Sequence, residues 1–140
     1  MLINKVATFI LVGIFMKTLL FLDDKRNFED VTWMGYPKFK EVLVIRNYEQ
    51  FCIKVDELLE TKQVDELCFS FDHDLADFDS EGKEFTGKDC AKYLVERLMD
   101  CLENINHLTW FVHSQNPIGK QNINNYLLDY IDFYNNENML

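Results

Sequence analysis

Basic residues are scarce in this sequence. Lys and Arg number 14 against 24 Asp and Glu, a formal net charge of -10. An extended nucleic-acid-binding face needs clustered cations to displace counterions, so none is expected. A small phosphorylated ligand, or one RNA end held by a metal ion and a few donors, stays compatible with that balance. The four cysteines, Cys52, Cys68, Cys90 and Cys101, lack CxxC spacing, which argues against a structural zinc site. Their apolar or helical contexts read as reduced core thiols of a cytoplasmic protein. A glycine-rich phosphate loop and a GxSxG elbow are also missing. The acids of LFLDDKRN are adjacent, not spaced as DxDxT, and His107-Leu108-Thr109 has no distant HxT or HxS partner. Haloacid-dehalogenase-type and two-histidine phosphoesterase chemistry are therefore set aside. No internal repeat or linker divides the chain.

What is there suffices for one packed domain. The 140 residues are 48% hydrophobic and 14% aromatic, enough to bury roughly two-thirds of the unfolded surface. Residues 1–16, MLINKVATFILVGIFM, form an apolar N-terminal extension whose uncharged run is too short to span a bilayer. We expect an upstream extension before a translation start at Met16. A membrane anchor is the alternative, and without it no membrane partner is expected.

Short apolar runs bounded by polar residues predict buried strands at Thr18–Leu22, Glu41–Ile45, Leu67–Phe71 and Leu108–Val112. Residues 25–40, with Gly35 and Pro37, read as a loop holding at most one short turn, and 76–85 as a polar, acidic loop. Helical spacing predicts a helix from Tyr48 to Thr61 with Phe51, Cys52, Val55, Leu58 and Leu59 on its buried face. A second helix starts at a Thr86/Asp89 capping box and runs to about Asn104, burying Ala91, Leu94, Leu98, Cys101 and Leu102. A third begins at the Asn116-Pro117 cap and runs to Tyr134, burying Ile123, Leu127, Tyr130 and Ile131. Nearly continuous apolar strands alternating with helices predict an α/β fold: a short, mainly parallel four-stranded sheet with helices on its faces. The economical arrangement is a receiver- or flavodoxin-like three-layer sandwich of strand order 2-1-3-4.

Three of those strands end in ionisable groups: Asp23 and Asp24, then Asp72, His73 and Asp74, then His113 and Ser114 ahead of Asn116. A single acid after a strand often only caps the next helix. Several carboxylates gathered on one sheet edge repel one another unless a cation or a raised pKa relieves them, and that cost favours function. In an extended chain Asp72 and Asp74 face one way and His73 the other. Asp72 and Asp74 are then candidates to share a metal or a proton with Asp23 or Asp24, and oxygen-only ligation suits Mg²⁺. His73 has the alternative of an imidazole bonded to neighbouring backbone. His113 and Ser114 precede a helix N-terminus that favours phosphate, His113 as acid or base and Ser114 as a donor. For Ser114 the alternative is a local turn bond. Lys25, Arg26, Arg46 and Lys120 lie near the same edge, as phosphate neutralisers or as solvated surface charge.

Together, LFLDDKR at 20–26, Val44-Ile45-Arg46 with Tyr48, SFDHDL at 70–75, Thr86-Gly87 with Asp89, and HSQNPIG at 113–119 resemble the cyclic-phosphate processing receiver-like domain family. The resemblance covers residues 17–134, leaving the extension 1–16 and a flexible tail, 135–140. The chain lacks the lysine after a fifth strand that ordinary two-component receivers carry. The resemblance implies a phosphoesterase-like activity on cyclic phosphates of nucleotides or RNA ends, with a non-catalytic phosphate-binding or regulatory module as the alternative. Mapped residue by residue, it implies catalytic His73, Asp74, His113 and Ser114, substrate-binding Arg26, Arg46 and Asn116, and a divalent cation such as Mg²⁺ on Asp23, Asp24 and Asp72.

Overall fold

The computed structural model describes residues 16–138, so the expected extension through residue 15 and the last two residues of the tail lie outside the described residues. Strands β1 (Thr18–Leu22), β2 (Glu41–Ile45) and β3 (Leu67–Phe71) form at the predicted bounds. Strand β6 (Trp110–Val112) is two residues shorter than expected, because a 3-10 turn at Ile105–His107 occupies the approach. These four strands pair in parallel in the order β2-β1-β3-β6, which is 2-1-3-4 when the parallel strands are counted alone. Both faces of the centre are covered: all five residues of β1 and of β3 are buried.

The three helices are α1 (Tyr48–Thr61), α2 (Gly87–Asp100) and α3 (Pro117–Asn138). Asn47 caps α1 by accepting from Gln50 N–H at 2.9 Å, and Asn116 Oδ1 caps α3 by accepting from Ile118 and Gly119 N–H. The Thr86 backbone N–H donates to Asp89 at 2.8 Å, closing the expected box on α2. That helix ends earlier than predicted, at Asp100, where Leu102 takes a positive φ of 58°. Cys101 and Leu102 are consequently exposed, and Cys90 and Val95 fill the buried stripe instead. Cys52 is half-buried, so only Cys68 and Cys90 are core thiols. Helix α3 runs four residues past Tyr134 into the expected tail.

All three helices pack on one face of the sheet, against Leu20, Leu22, Ile45, Phe69, Phe71 and Val112. The other face carries Leu19, Phe21 and Cys68, and the segment 23–40 covers it with Phe28, Val31, Met34, Tyr36 and Phe39. Among the described residues the third layer is thus an aromatic loop with one short 3-10 turn at Phe28–Asp30, as expected, and not an α-helix. Gly35, Pro37 and the lack of helical spacing leave its apolar side chains to pack one by one. The expected loop at 76–85 contains a small antiparallel hairpin, β4 (Asp77–Phe78) with β5 (Glu84–Phe85). Among the described residues, no helix is long and apolar enough to cross a membrane.

Candidate functional site

The register of the sheet assembles the site. Leu22, Phe71 and Val112 are aligned on β1, β3 and β6 and point into the helical core. Side chains alternate along a strand, so the next residues, Asp23, Asp72 and His113, turn together to the other face. The ladder continues just far enough to hold them. Asp23 N–H donates to Ile45 O at 3.0 Å, Asp72 N–H to Leu22 O at 2.9 Å, and His113 N–H to Phe71 O at 3.0 Å. All three side chains are buried, and their ligand atoms lie within 4.8 Å of one another.

Asp23 is the most heavily bonded member. Its Oδ1 accepts from the backbone N–H groups of Lys25 and Arg26 at 2.9 and 2.8 Å, and its Oδ2 meets His113 Nε2 at 3.0 Å. Burial alone raises this carboxyl, but the His113 bond and the two backbone donors outweigh it and hold the pKa at about 2. An ionised carboxylate can only accept, so the Nε2 proton of His113 points to Asp23. On its other side His113 Nδ1 lies 2.8 Å from Ser70 Oγ, which is itself hydrogen-bonded to the Tyr36 hydroxyl at 2.6 Å. Burial pushes the Tyr36 phenol up to about 12, so it keeps its proton. Phe21 stacks on the imidazole at 4.5 Å, and Trp33 Nε1 donates to the His113 carbonyl at 3.0 Å. His113 is fully enclosed. It stands behind Asp23, not in the opening where a substrate would touch it.

Asp72 behaves in the opposite sense. Burial, and then the negative charge of Asp23, raise its pKa, while its Oδ1 accepts from His73 N–H at 2.9 Å. The alternation expected of 72–74 stops here, because β3 ends at Phe71. His73 does not point away from Asp74: its Nδ1 lies 3.1 Å from Asp74 Oδ1. Its ring packs against Gly119 so closely that a Cβ at that glycine would overlap it. His73 is a wedge under the first turn of α3 and is not among the cleft-lining residues. Asp74 does line the cleft. Its Oδ2 accepts from Asn116 Nδ2 at 3.1 Å, and the bonds from Asn116 and then His73 lower its pKa.

The cleft itself measures about 660 Å³ and is walled by Asp23, Asp24, Lys25, Arg26, Asp72, Asp74, Ala76, Phe78, Glu84, Ser114, Gln115 and Asn116. Arg26 sits at the rim, bonded to Gln115 Oε1 at 3.2 Å, 3.4 Å from Asp23 Oδ2, and 5.4 Å over the Trp33 ring. Arg46, expected to bind substrate, instead clamps the 23–27 turn. Its NH1 reaches the carbonyls of Asp23 and Arg26, and its NH2 reaches Asn27 Oδ1 at 2.6 Å. Ser114 lines the cleft, and its Oγ makes a local turn bond, accepting from Asn116 N–H at 3.2 Å. Sequence reasoning missed Ser70, Tyr36 and Trp33 behind the site, and Phe78 and Glu84 in its wall. Ser70 offered a signal, as the one hydroxyl in the apolar strand LCFSF.

The donors fit a hard divalent cation. Five carboxylates, those of Asp23, Asp24, Asp72, Asp74 and Glu84, face two basic side chains around one cleft. A cation held there would offset that charge. Asp23 and Asp72 are the buried pair able to hold it, with Asp24 on the adjoining wall but outside the close group. His113 completes that Asp–Asp–His group, yet both its ring nitrogens are already bonded, so it orients Asp23 from behind.

A parallel sheet of order 2-1-3-4, with paired acids after its first strand and an acid after its third, defines a receiver-like α/β domain. Residues 18–129 match the Cyclic-phosphate processing Receiver domain, and the chain belongs to that family. No curated protein and no solved structure matches it.

Proposed function

We propose that this domain hydrolyses a cyclic phosphate carried by a nucleotide or an RNA end, with Mg²⁺ held by Asp23 and Asp72 beside Asp24. The observation that carries the reading is the pair of buried carboxylates, Asp23 and Asp72, set close together in the wall of the cleft, with Asp72 raised by burial and then by the charge of Asp23. A bound cation would neutralise phosphoryl oxygens and activate water. Arg26 meets the remaining phosphate charge at the rim, and Ser114 donates to a phosphate oxygen. Asp74, oriented by Asn116 and His73, takes a proton from the attacking water. The water oxygen bonds to phosphorus, one ring P–O bond breaks, and Asp74 passes its proton to the leaving oxygen, so the products are a phosphomonoester and a free hydroxyl. His113 acts through Asp23, keeping its carboxylate in place. A cytoplasmic setting belongs to the same reading, since all four thiols are free.

A non-catalytic phosphate-binding module is the second reading, favoured by the enclosure of His113, which leaves no histidine on the cleft wall. The two part on turnover. The full chain, incubated with a 2′,3′-cyclic-phosphate oligonucleotide and Mg²⁺, is expected to give the monoester by ³¹P NMR, and Asp72→Asn to slow it at least about 100-fold. Folded protein that binds the oligonucleotide without product across divalent metals and pH would establish the binding module instead.

A further inference from the structure

The hairpin β4–β5 has two faces with different fates. Asp77 pairs across from Phe85, and Phe78 across from Glu84, so each pair shares one face. The Asp77/Phe85 face is fastened to the start of α1. Asp77 Oδ2 accepts from Tyr48 N–H at 3.0 Å, and the Phe85 ring stacks on Tyr48 at 4.4 Å with an interplanar angle of 5°. The turn is closed by Asp79, whose Oδ1 accepts from Glu81 and Lys83 N–H at 2.8 Å, and by Gly82 at a φ of 85°. This anchoring leaves the Phe78/Glu84 face turned to the cleft, where both residues form part of the wall. Phe78 is 60% exposed there. A rigidly mounted, exposed aromatic ring in the wall of a polar cleft has its π-face available to another planar ring.

We propose that Phe78 is a base-stacking platform, making the cleft selective for cyclic phosphates attached to a nucleoside over base-free ones. A phosphate seated by the carboxylate-held cation and Arg26 leaves the rest of its ligand to extend along the wall, and Phe78 receives the base. Glu84, its cross-strand neighbour, accepts from N–H groups on the base edge. This rests on the phosphate reading of the same cleft and adds what recognises the remainder of the ligand. One base stacked on one aromatic ring changes affinity by roughly 5- to 150-fold.

The test measures affinities, so it does not depend on turnover. With the full chain and Mg²⁺, titration calorimetry compares a nucleoside monophosphate, a short oligonucleotide ending in the same nucleotide and base-free ribose phosphate. The wild type is expected to prefer the base-bearing ligands. Phe78→Ala and Phe78→Leu are expected to cut that preference about 10-fold, and Phe78→Trp to keep it. The stronger of the two nucleic-acid ligands distinguishes an RNA end from a free nucleotide. Loss of preference in Phe78→Ala with no turnover by the wild type supports the platform and removes the enzyme. Turnover with the same preference in Phe78→Ala and the wild type overturns the platform and keeps the enzyme. Failure of all three ligands to bind overturns the platform, and turnover of the cyclic-phosphate oligonucleotide still decides the enzyme.

Discussion

Asp23 and Asp72 show how two identical side chains, one strand apart, acquire different proton chemistry. Asp23 is bonded by two backbone N–H groups and His113, and Asp72 is left to face its charge. Their pH dependences therefore have opposite signs. The Asp23 pKa is lowered from 3.8 to about 2, so its contribution is complete above pH 4 and is lost as pH falls through 2. At about 1.4 kcal/mol per pKa unit, that contribution is about 2 kcal/mol. The Asp72 pKa is raised, so its ionisation costs stability, and the cost disappears as pH falls through its folded value. We expect the metal-free wild type to lose about 2 kcal/mol between pH 4 and pH 2 that Asp23→Asn does not lose. On approaching pH 4 from neutrality, the wild type should gain stability relative to Asp72→Asn. Urea unfolding across pH checks both limbs, and parallel curves for wild type and Asp23→Asn below pH 4 would refute the assignment.

Elements meet at the site through glycine. The start of α2 lies so close to the end of β3 that a Cβ on Gly87 would collide with the Asp72 carbonyl, while Gly87 N–H donates to His73 O at 2.9 Å. Gly119 plays the same part for α3 over the His73 ring. Neither position needs glycine for its dihedral angles, since the close approach alone demands it. Overpacking a rigid contact of this kind costs about 1–3 kcal/mol and sometimes more. Gly87→Ala is expected to destabilise the domain by about 3 kcal/mol, read as a lower urea midpoint at unchanged slope. A change below about 0.5 kcal/mol would show that α2 can retreat freely from Asp72.

At the scale of the whole molecule, the cost of gathering acid on one sheet edge is the main electrostatic feature. The chain carries a net charge of -10, and its cleft concentrates five carboxylates. A cation that binds only the folded state stabilises it, by about 2.7 kcal/mol at one hundred times its Kd. For a domain of this size we expect saturating Mg²⁺ to raise Tm by roughly 5–10 °C, and Asp72→Asn to abolish most of the rise. Thermal unfolding with and without Mg²⁺ decides it, and a wild-type Tm indifferent to Mg²⁺, Mn²⁺ and Ca²⁺ alike would remove the cation from the site.

Much of the frame was legible in the linear chain. The bounds of β1, β2, β3 and α1 follow from short apolar runs and helical spacing, both local signals. So does the placing of Asp23, Asp72 and His113 at three strand ends, because an apolar run has to stop where its layer stops. The hairpin was not legible, since strands of two residues within an acidic segment show no alternation. Nor was the aromatic third layer, whose Phe28, Met34, Tyr36 and Phe39 have neither period and become a surface only against Phe21 and Cys68. Sequence determined which chemical groups would collect on the sheet edge, because each strand stops where its own apolar run stops and side-chain alternation is local. Only the tertiary structure decided which of them face the cleft. Enclosing His113, wedging His73 under α3 and drawing Arg46 onto the 23–27 turn are each contacts between segments far apart in the chain, where packing and hydrogen-bond geometry choose the partner.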